Sequence, residues 1–346
     1  MRRIFIVIFL ILTIAYPVNA LELAAPQVPE FAEEFMPPEP QNLQEGIRAL
    51  LLQALQHIRP DLKTASSVCI SITAVMMLMS ILRTIPGSHE RVTNLAGALA
   101  ISLLLLNTSG SMINLAADTV RQISEYGKLL LPVMTAALAA QGGITSSAAI
   151  YAGTAVFDTL LSSLISSILI PMVYFYLALS VAGCAIGEDM LKKCRDAIKW
   201  LMTWILKTIL YIFTGYITVT GVVSGTTDAS ALKAAKLTIS GVVPVVGGIL
   251  SDASEAILVS AGAVKNTAGI YGLFAVMAIW IGPFLKIGTH YLMFRITGIV
   301  CSIFGGKGVS ELIQDFSSAL GLLLGMTGAL CLMLLISLIC FMRGVA

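Results

Sequence analysis

The chain of 346 residues is 57% hydrophobic and 12% charged, about half the charged share of an ordinary soluble domain, and its mean hydropathy is +0.92. With 21 basic and 19 acidic residues the net charge is +2, which offers no basic surface to nucleic acid or another polyanion. A water-soluble domain is excluded, and the reading is an all-α polytopic membrane helix bundle.

At the N-terminus Arg2 and Arg3 precede an apolar run over 4–16, then Pro17 and the small residues Val18 and Ala20. This is the pattern of a cleaved signal peptide, 1–20, which puts the mature N-terminus outside the cytoplasm. The alternative, an uncleaved anchor, is short at roughly 13 residues against about 20 for a span. Residues 21–64 read as an extracytoplasmic arm. Its first part, to Glu45, is rich in proline and glutamate and is expected to stay extended. Next, Ile47, Leu50, Leu51, Ala54 and Ile58 share a helical face until Pro60 ends the pattern. That helix either lies on the membrane surface or packs on the bundle.

Apolar stretches long enough to cross a bilayer cover 65–82, 95–115, 148–186, 200–223, 268–304 and 318–342. The third and fifth have length for two crossings each, giving about eight full spans. Two shorter pieces, 129–140 and 242–250, carry Pro132 and Pro244 in their first turns and read as broken or half-helices, which a bilayer tolerates where protein or a water-filled cavity covers the backbone. The densest basic loop, Lys192, Lys193, Arg195 and Lys199, belongs on the cytoplasmic side. That requires an odd number of crossings between the second span and the loop, leaving the topology open by one crossing.

Pro132-Val133 and Pro171 recur at one common offset as Pro244-Val245 and Pro283. Each second proline precedes an apolar span, a connector opened by glycine and a long final span, so the chain divides into two leading spans (65–128), a first membrane repeat (129–224) and a second (242–346). Broken-helix elements built on Pro132, Pro171, Pro244, Gly247, Gly248 and Pro283 would point to a transporter or channel core. A scaffold whose prolines and glycines serve packing is the alternative. Gly183 and Gly187, Gly221 and Gly225, and Gly321 and Gly325 each form G-x-x-x-G, a helix-packing spacing.

Asp158 and Lys207 sit inside otherwise uncharged spans, where a charge must be paired, hydrated or neutralised. They are read as a pair lining a polar path, against an interhelical salt bridge or a lysine reaching the membrane surface. Lys286, His290 and Arg295 follow Pro283 and mark a hydrated turn or a second polar lining. Six cysteines contain no C-x-x-C, and the three histidines have no carboxylate at ligand spacing, so no disulfide framework, metal or cofactor is implied. No phosphate loop, nucleophile elbow or H-E-x-x-H is present, and the reading is not an enzyme.

The stretch AKLTISGVVPVVGGILSDASEAILVSAGAVKNTAGIYG at 235–272 and LLLPVMTAALAAQGG at 129–143 closely resemble the stage III sporulation protein AE family of endospore-forming bacteria. The resemblance is most specific around Pro244, Gly247, Gly248, Ser251 and Asp252. It implies a multi-pass subunit of the complex that the mother cell builds in the membrane around the forespore, needed for late forespore gene activation. The implied partners are the lipid bilayer and other membrane subunits of that channel complex, with further copies of the chain also a candidate. The family supplies no catalytic residues. Three functions follow as expectations: a channel or secretion-like subunit with a permease-like core, an assembly scaffold, or an independent secondary transporter.

Overall fold

A computed structural model describes residues 26–37, 43–83, 90–186, 189–242, 247–303 and 307–343. Short α1 (Glu30–Glu33) precedes α2 (Leu43–Arg83) and α3 (Glu90–Ala140). A turn over 141–143 leads to α4 (Ile144–Leu164), which runs through a π-helical turn (Ile165–Leu169) into α5 (Ile170–Ile186). Then come α6 (Asp189–Val242), α7 (Gly247–Ile303) and α8 (Lys307–Arg343). No strand occurs among the described residues.

Helix is the form that apolar solvent imposes, because each backbone donor must find its acceptor within the segment. Hydroxyls are absorbed the same way. Ser102 donates to the carbonyl of Ala98 at 2.7 Å, Thr119 to Leu115 at 2.7 Å and Thr297 to Met293 at 2.8 Å, so these hydroxyls find an acceptor on their own helix.

Among the described residues, six helices are long and apolar enough to cross a membrane, against the eight expected. The described parts of these stretches, 148–186 and 268–303, are each part of one continuous helical run rather than two crossings. Length alone suggests a second span in each, but neither described run contains a chain reversal. Pro171 is accommodated by the π turn before it: the Ile170 N–H bonds to the Ile165 carbonyl, widening the helix where the proline ring would crowd the preceding turn. Pro283 lies inside α7.

The half-helix expected over 129–140 is instead the last turns of α3, with Pro132 inside. Pro244 falls outside the described residues, and so does Gly187. Gly247 and Gly248 open α7, while the surroundings of Gly221 and Gly225 fall outside the described side chains. Nor does Pro60 end α2, which continues to Arg83. The carbonyl it leaves unpaired belongs to exposed Gln56, where solvent can satisfy it.

Neighbouring helices run up and down. Ser310 donates to the Gly298 carbonyl at 2.7 Å and Ser317 to that of Tyr291 at 3.0 Å, fixing α7 and α8 antiparallel. Lys192 reaches Glu311, and Lys199 reaches Ser318 at 3.0 Å, setting α6 and α8 side by side and parallel. One end of the bundle therefore gathers the end of α5, the starts of α6 and α8 and the end of α7. The helices of α7 and α8 form the centre, their apolar windows 61% buried against 22% for α6. Phe274, Phe294, Phe316 and Phe341 fill that centre.

Residues 26–37 of the arm are docked rather than extended. Val28, Ala32 and Phe35 are buried, Tyr126 of α3 donates to the Pro26 carbonyl at 3.4 Å, and Glu34 meets His57 of α2 at 2.7 Å. Phe35 lies over Gly282 of α7, its ring carbons 3.0 and 3.2 Å from where a Cβ would stand. Three apolar anchors offset the polar composition that suggested a free arm.

A second close approach joins α4 and α6. Tyr216 donates to the Ala149 carbonyl at 3.0 Å, and its ring carbons lie 2.6 and 2.8 Å from the Cβ position of Gly153. Gly153→Val is expected to push the ring away, break that bond and destabilise the chain by about 1–3 kcal/mol. A thermal unfolding midpoint in detergent equal to wild type would show that this contact is dispensable.

Candidate functional site

The exposed face of α3 changes character along its length. Leu95, Leu99 and Leu103 are 45%, 48% and 70% exposed. From there the exposed side chains at alternating steps of four and three are Asn107, Ser111, Asn114, Asp118, Arg121, Glu125 and Lys128. The opposite face holds Met112, Ile113, Ala116, Val120 and Ile123, all buried. The heptad spacing keeps the polar residues in one stripe along the helix. Arg121 lies 3.4 Å from Asp118 within it.

Beside the stripe, α2 and α7 complete a hollow of about 570 Å³, lined among others by Asp61, Asn107, Asn114, Asp118, Lys286 and His290. His290 is 2% exposed. Its Nδ1 donates to the Lys286 carbonyl at 2.9 Å, an acceptor that requires the proton on Nδ1. The arm crosses the same three helices: His57 stands one turn from Asp61, Gly282 one turn from Lys286, and Tyr126 two turns from Asp118. It clamps the helices that form the hollow.

The sequence-predicted polar residues do not form one path. Lys286 and His290 come together, but Asp158 lies apart, 1% exposed between α3 and α4. Its Oδ2 accepts from Ser124 Oγ at 2.6 Å, and Oδ1 has no hydrogen-bond partner. Lys207 and Arg295 are exposed on the outer faces of α6 and α7, and no ion pair joins Lys207 to Asp158 among the described residues. The expected pairing fails because Asp158 turns toward α3 while Lys207 turns outward, beyond the stacked and exposed Trp200 and Trp204. Of the glycine pairs, a Cβ at Gly321 would stand 3.3 Å from the Tyr291 ring, one at Gly183 would stand 3.8 Å from Leu191 Cβ, and one at Gly325 would meet open space.

The basic residues expected in a loop, Lys192, Lys193, Arg195 and Lys199, lie instead in the first turns of α6, where Lys192 and Arg195 belong to an ion-pair cluster. Arg195 bonds Asp315, their side chains 11% and 13% exposed. Tyr176 donates to Asp315 Oδ1 at 3.3 Å, and Lys192 meets Glu311 at 2.9 Å at the exposed rim. Asp189, Lys192, Arg195, Glu311 and Asp315 line a second hollow of about 260 Å³ there. Sequence reasoning missed both acidic partners, which lie far along the chain, and missed the α3 stripe, whose heptad spacing was available as a signal. Cys194 is exposed and the other cysteines are buried or half-buried. No cluster of three or more metal-ligating side chains occurs among the described residues.

A family model described as Stage III sporulation protein AE matches residues 32–344. The curated protein "Stage III sporulation protein AE" of Bacillus subtilis (strain 168) is 23% identical over 240 residues, covering 69% of this chain and 60% of that protein. The chain thus matches about three-fifths of the length of that relative. No solved structure matches it.

Proposed function

Because the chain belongs to the stage III sporulation protein AE family, we propose that it is a multi-pass subunit of the channel or secretion-like complex between mother cell and forespore, required for late forespore gene activation. The family match over nearly the whole chain after the N-terminal segment carries this reading. Its place is the mother-cell membrane around the forespore, beside other membrane subunits of the complex. With six alternating helices, Lys192, Lys193, Arg195 and Lys199 fall at the cytoplasmic end, in accord with the bias of basic residues to that side. On this reading three helical runs, α2, α3 and the run over 144–186, cross before them, which supports an extracytoplasmic mature N-terminus.

The subunit has a permease-like role, serving passage of hydrophilic solute. Support comes from the α2–α3–α7 hollow with Lys286 and His290, since ionisable groups at membrane depth face water or a solute pathway. The recurring order of long helix, short connection and long helix, α4–α5 with α6 and α7 with α8, fits the internal repeat. The scaffold reading is favoured by one observation, the Arg195–Asp315 cluster, which ties α6 to α8 through a nearly buried ion pair.

The two separate in sporulating cells carrying Lys286→Gln, Asp158→Ala or Lys207→Ala, scored for a late forespore reporter, chain level and recovery of the complex. Passage predicts that Lys286→Gln loses the reporter at normal level with complex intact, and that outward-facing Lys207→Ala keeps it. A full reporter signal in Lys286→Gln would favour the scaffold.

A further inference from the structure

We propose that Asp158, Ser124 and Ser162 form a binding site for a small monovalent cation, the class of the proton and the sodium ion, at the contact of α3 with α4. The inference is independent of solute passage, since Asp158 lies apart from the α2–α3–α7 hollow.

Asp158 belongs to a helical run apolar enough to cross a membrane and is 1% exposed. A carboxylate so placed needs an ion-pair partner, a full set of hydrogen bonds or a bound cation. Pairing fails on every element around it. On α3, Arg121, Glu125 and Lys128 lie on the exposed face; the Lys128 charge acts on Asp158 from a distance but makes no ion pair with it. The run over 144–186 holds no other charged residue, and α8 holds none over 318–342, where its titratable groups are the thiols of Cys331 and Cys340. On α6, Lys207 faces outward and Tyr216 is already bonded to the Ala149 carbonyl.

Hydrogen bonding falls short as well. Oδ2 accepts from Ser124 Oγ at 2.6 Å, while Oδ1, also buried, has no partner. Ser162 Oγ stands 3.4 Å from Ser124 Oγ and donates to the Thr159 carbonyl at 3.3 Å. Each hydroxyl has one hydrogen; that of Ser124 goes to the carboxylate and that of Ser162 to the carbonyl. The two Oγ atoms then face each other with no hydrogen between them, and with Oδ1 they leave three oxygens offering lone pairs. Their 3.4 Å spacing is long for O–H···O and ordinary for two oxygens on one hard cation about 2.4 Å from each. A proton meets the same shortage: carried on Oδ2, it is donated to Ser124, whose own hydrogen is then free for Ser162. The single negative charge selects a monovalent ion, because a divalent one would leave net charge buried. Ser162 is half-buried, so the site opens at the edge of α4, and a bound cation ties that helix to α3.

The test is thermal unfolding of the full chain in detergent, with sodium chloride replacing choline chloride at constant ionic strength, and separately across pH in sodium-free buffer. Asp158→Asn keeps the shape and the acceptor for Ser124 but has no charge to hold a cation. A sodium site raises the wild-type midpoint by about 3–6 °C at a hundredfold excess over half-saturation and leaves Asp158→Asn unmoved. A proton site lowers the wild-type midpoint relative to Asp158→Asn as pH rises, because the bound proton is lost. Dicyclohexylcarbodiimide, an apolar reagent for protonated carboxyls, distinguishes the sources: sodium suppresses the Asp158 adduct in the first case, and pH alone controls it in the second. Wild-type and Asp158→Asn midpoints that move together with both sodium and pH overturn the proposal. An unchanged response in Ser162→Ala overturns the three-oxygen site.

Discussion

Arg195→Ala is expected to destabilise the folded chain by about 3–5 kcal/mol. The guanidinium and the Asp315 carboxylate are 11% and 13% exposed, so removing the cation strands a nearly dry anion still bonded by the Tyr176 hydroxyl at 3.3 Å. The loss comes from that stranded charge rather than from the pair's net attraction. Arg195→Met with Asp315→Leu should therefore recover most of it, because neither charge is left behind. Lys192→Ala should leave stability unchanged, since Lys192 and Glu311 are 48% and 53% exposed and water replaces the lost partner. Thermal unfolding of the four purified proteins in detergent checks this. An Arg195→Ala midpoint equal to that of Lys192→Ala would show that the cluster does not clamp α6 to α8.

Asn114→Leu combined with Asp118→Leu is expected to lower the late forespore reporter on the order of tenfold or more while chain level and complex stay normal. Both residues sit on the exposed stripe and line the hollow. Leucine there gives the wall the character of the Leu99–Leu103 face that precedes it, and an apolar constriction sheds water and blocks hydrophilic solute. A stability loss cannot mimic the effect, because neither side chain belongs to the buried core. Val156→Leu with Leu160→Ile, on the exposed face of α4, should leave the reporter unchanged. If the stripe pair were silent, solute passage through the hollow beside α3 would be excluded.

Much of the architecture was legible from hydropathy alone. Helices, their membrane character and the approximate position of each span all appear in the apolar stretches, because lipid leaves an isolated segment no other way to satisfy its backbone. The number of crossings was not legible, since length does not say whether a long apolar run turns back. Proline was read as a break in four places where the helix continues: Pro60 lies inside α2, Pro132 inside α3, Pro171 inside the continuous run over 144–186 and Pro283 inside α7. The arm shows the opposite error, its glutamates outweighing Val28, Ala32 and Phe35 in the reading although those three decide where it lies.

Within the candidate site, Lys286 and His290 were found as ionisable residues in an apolar context, and they do share a hollow. The α3 stripe was passed over because averaging over a span hides a face that only heptad counting reveals.

What the sequence determined by itself is the solvent this protein is built for, its helical class and the family to which it belongs, because these follow from composition, periodicity and contiguous residues. Tertiary structure alone decided that Arg195 meets Asp315, that Asp158 turns to Ser124 instead of Lys207, and that the polar face of α3 is left uncovered by the described residues. Such pairings depend on the rotation and depth at which separate helices pack, and helix periodicity fixes a residue's angle on its own helix but not the neighbour that angle will face.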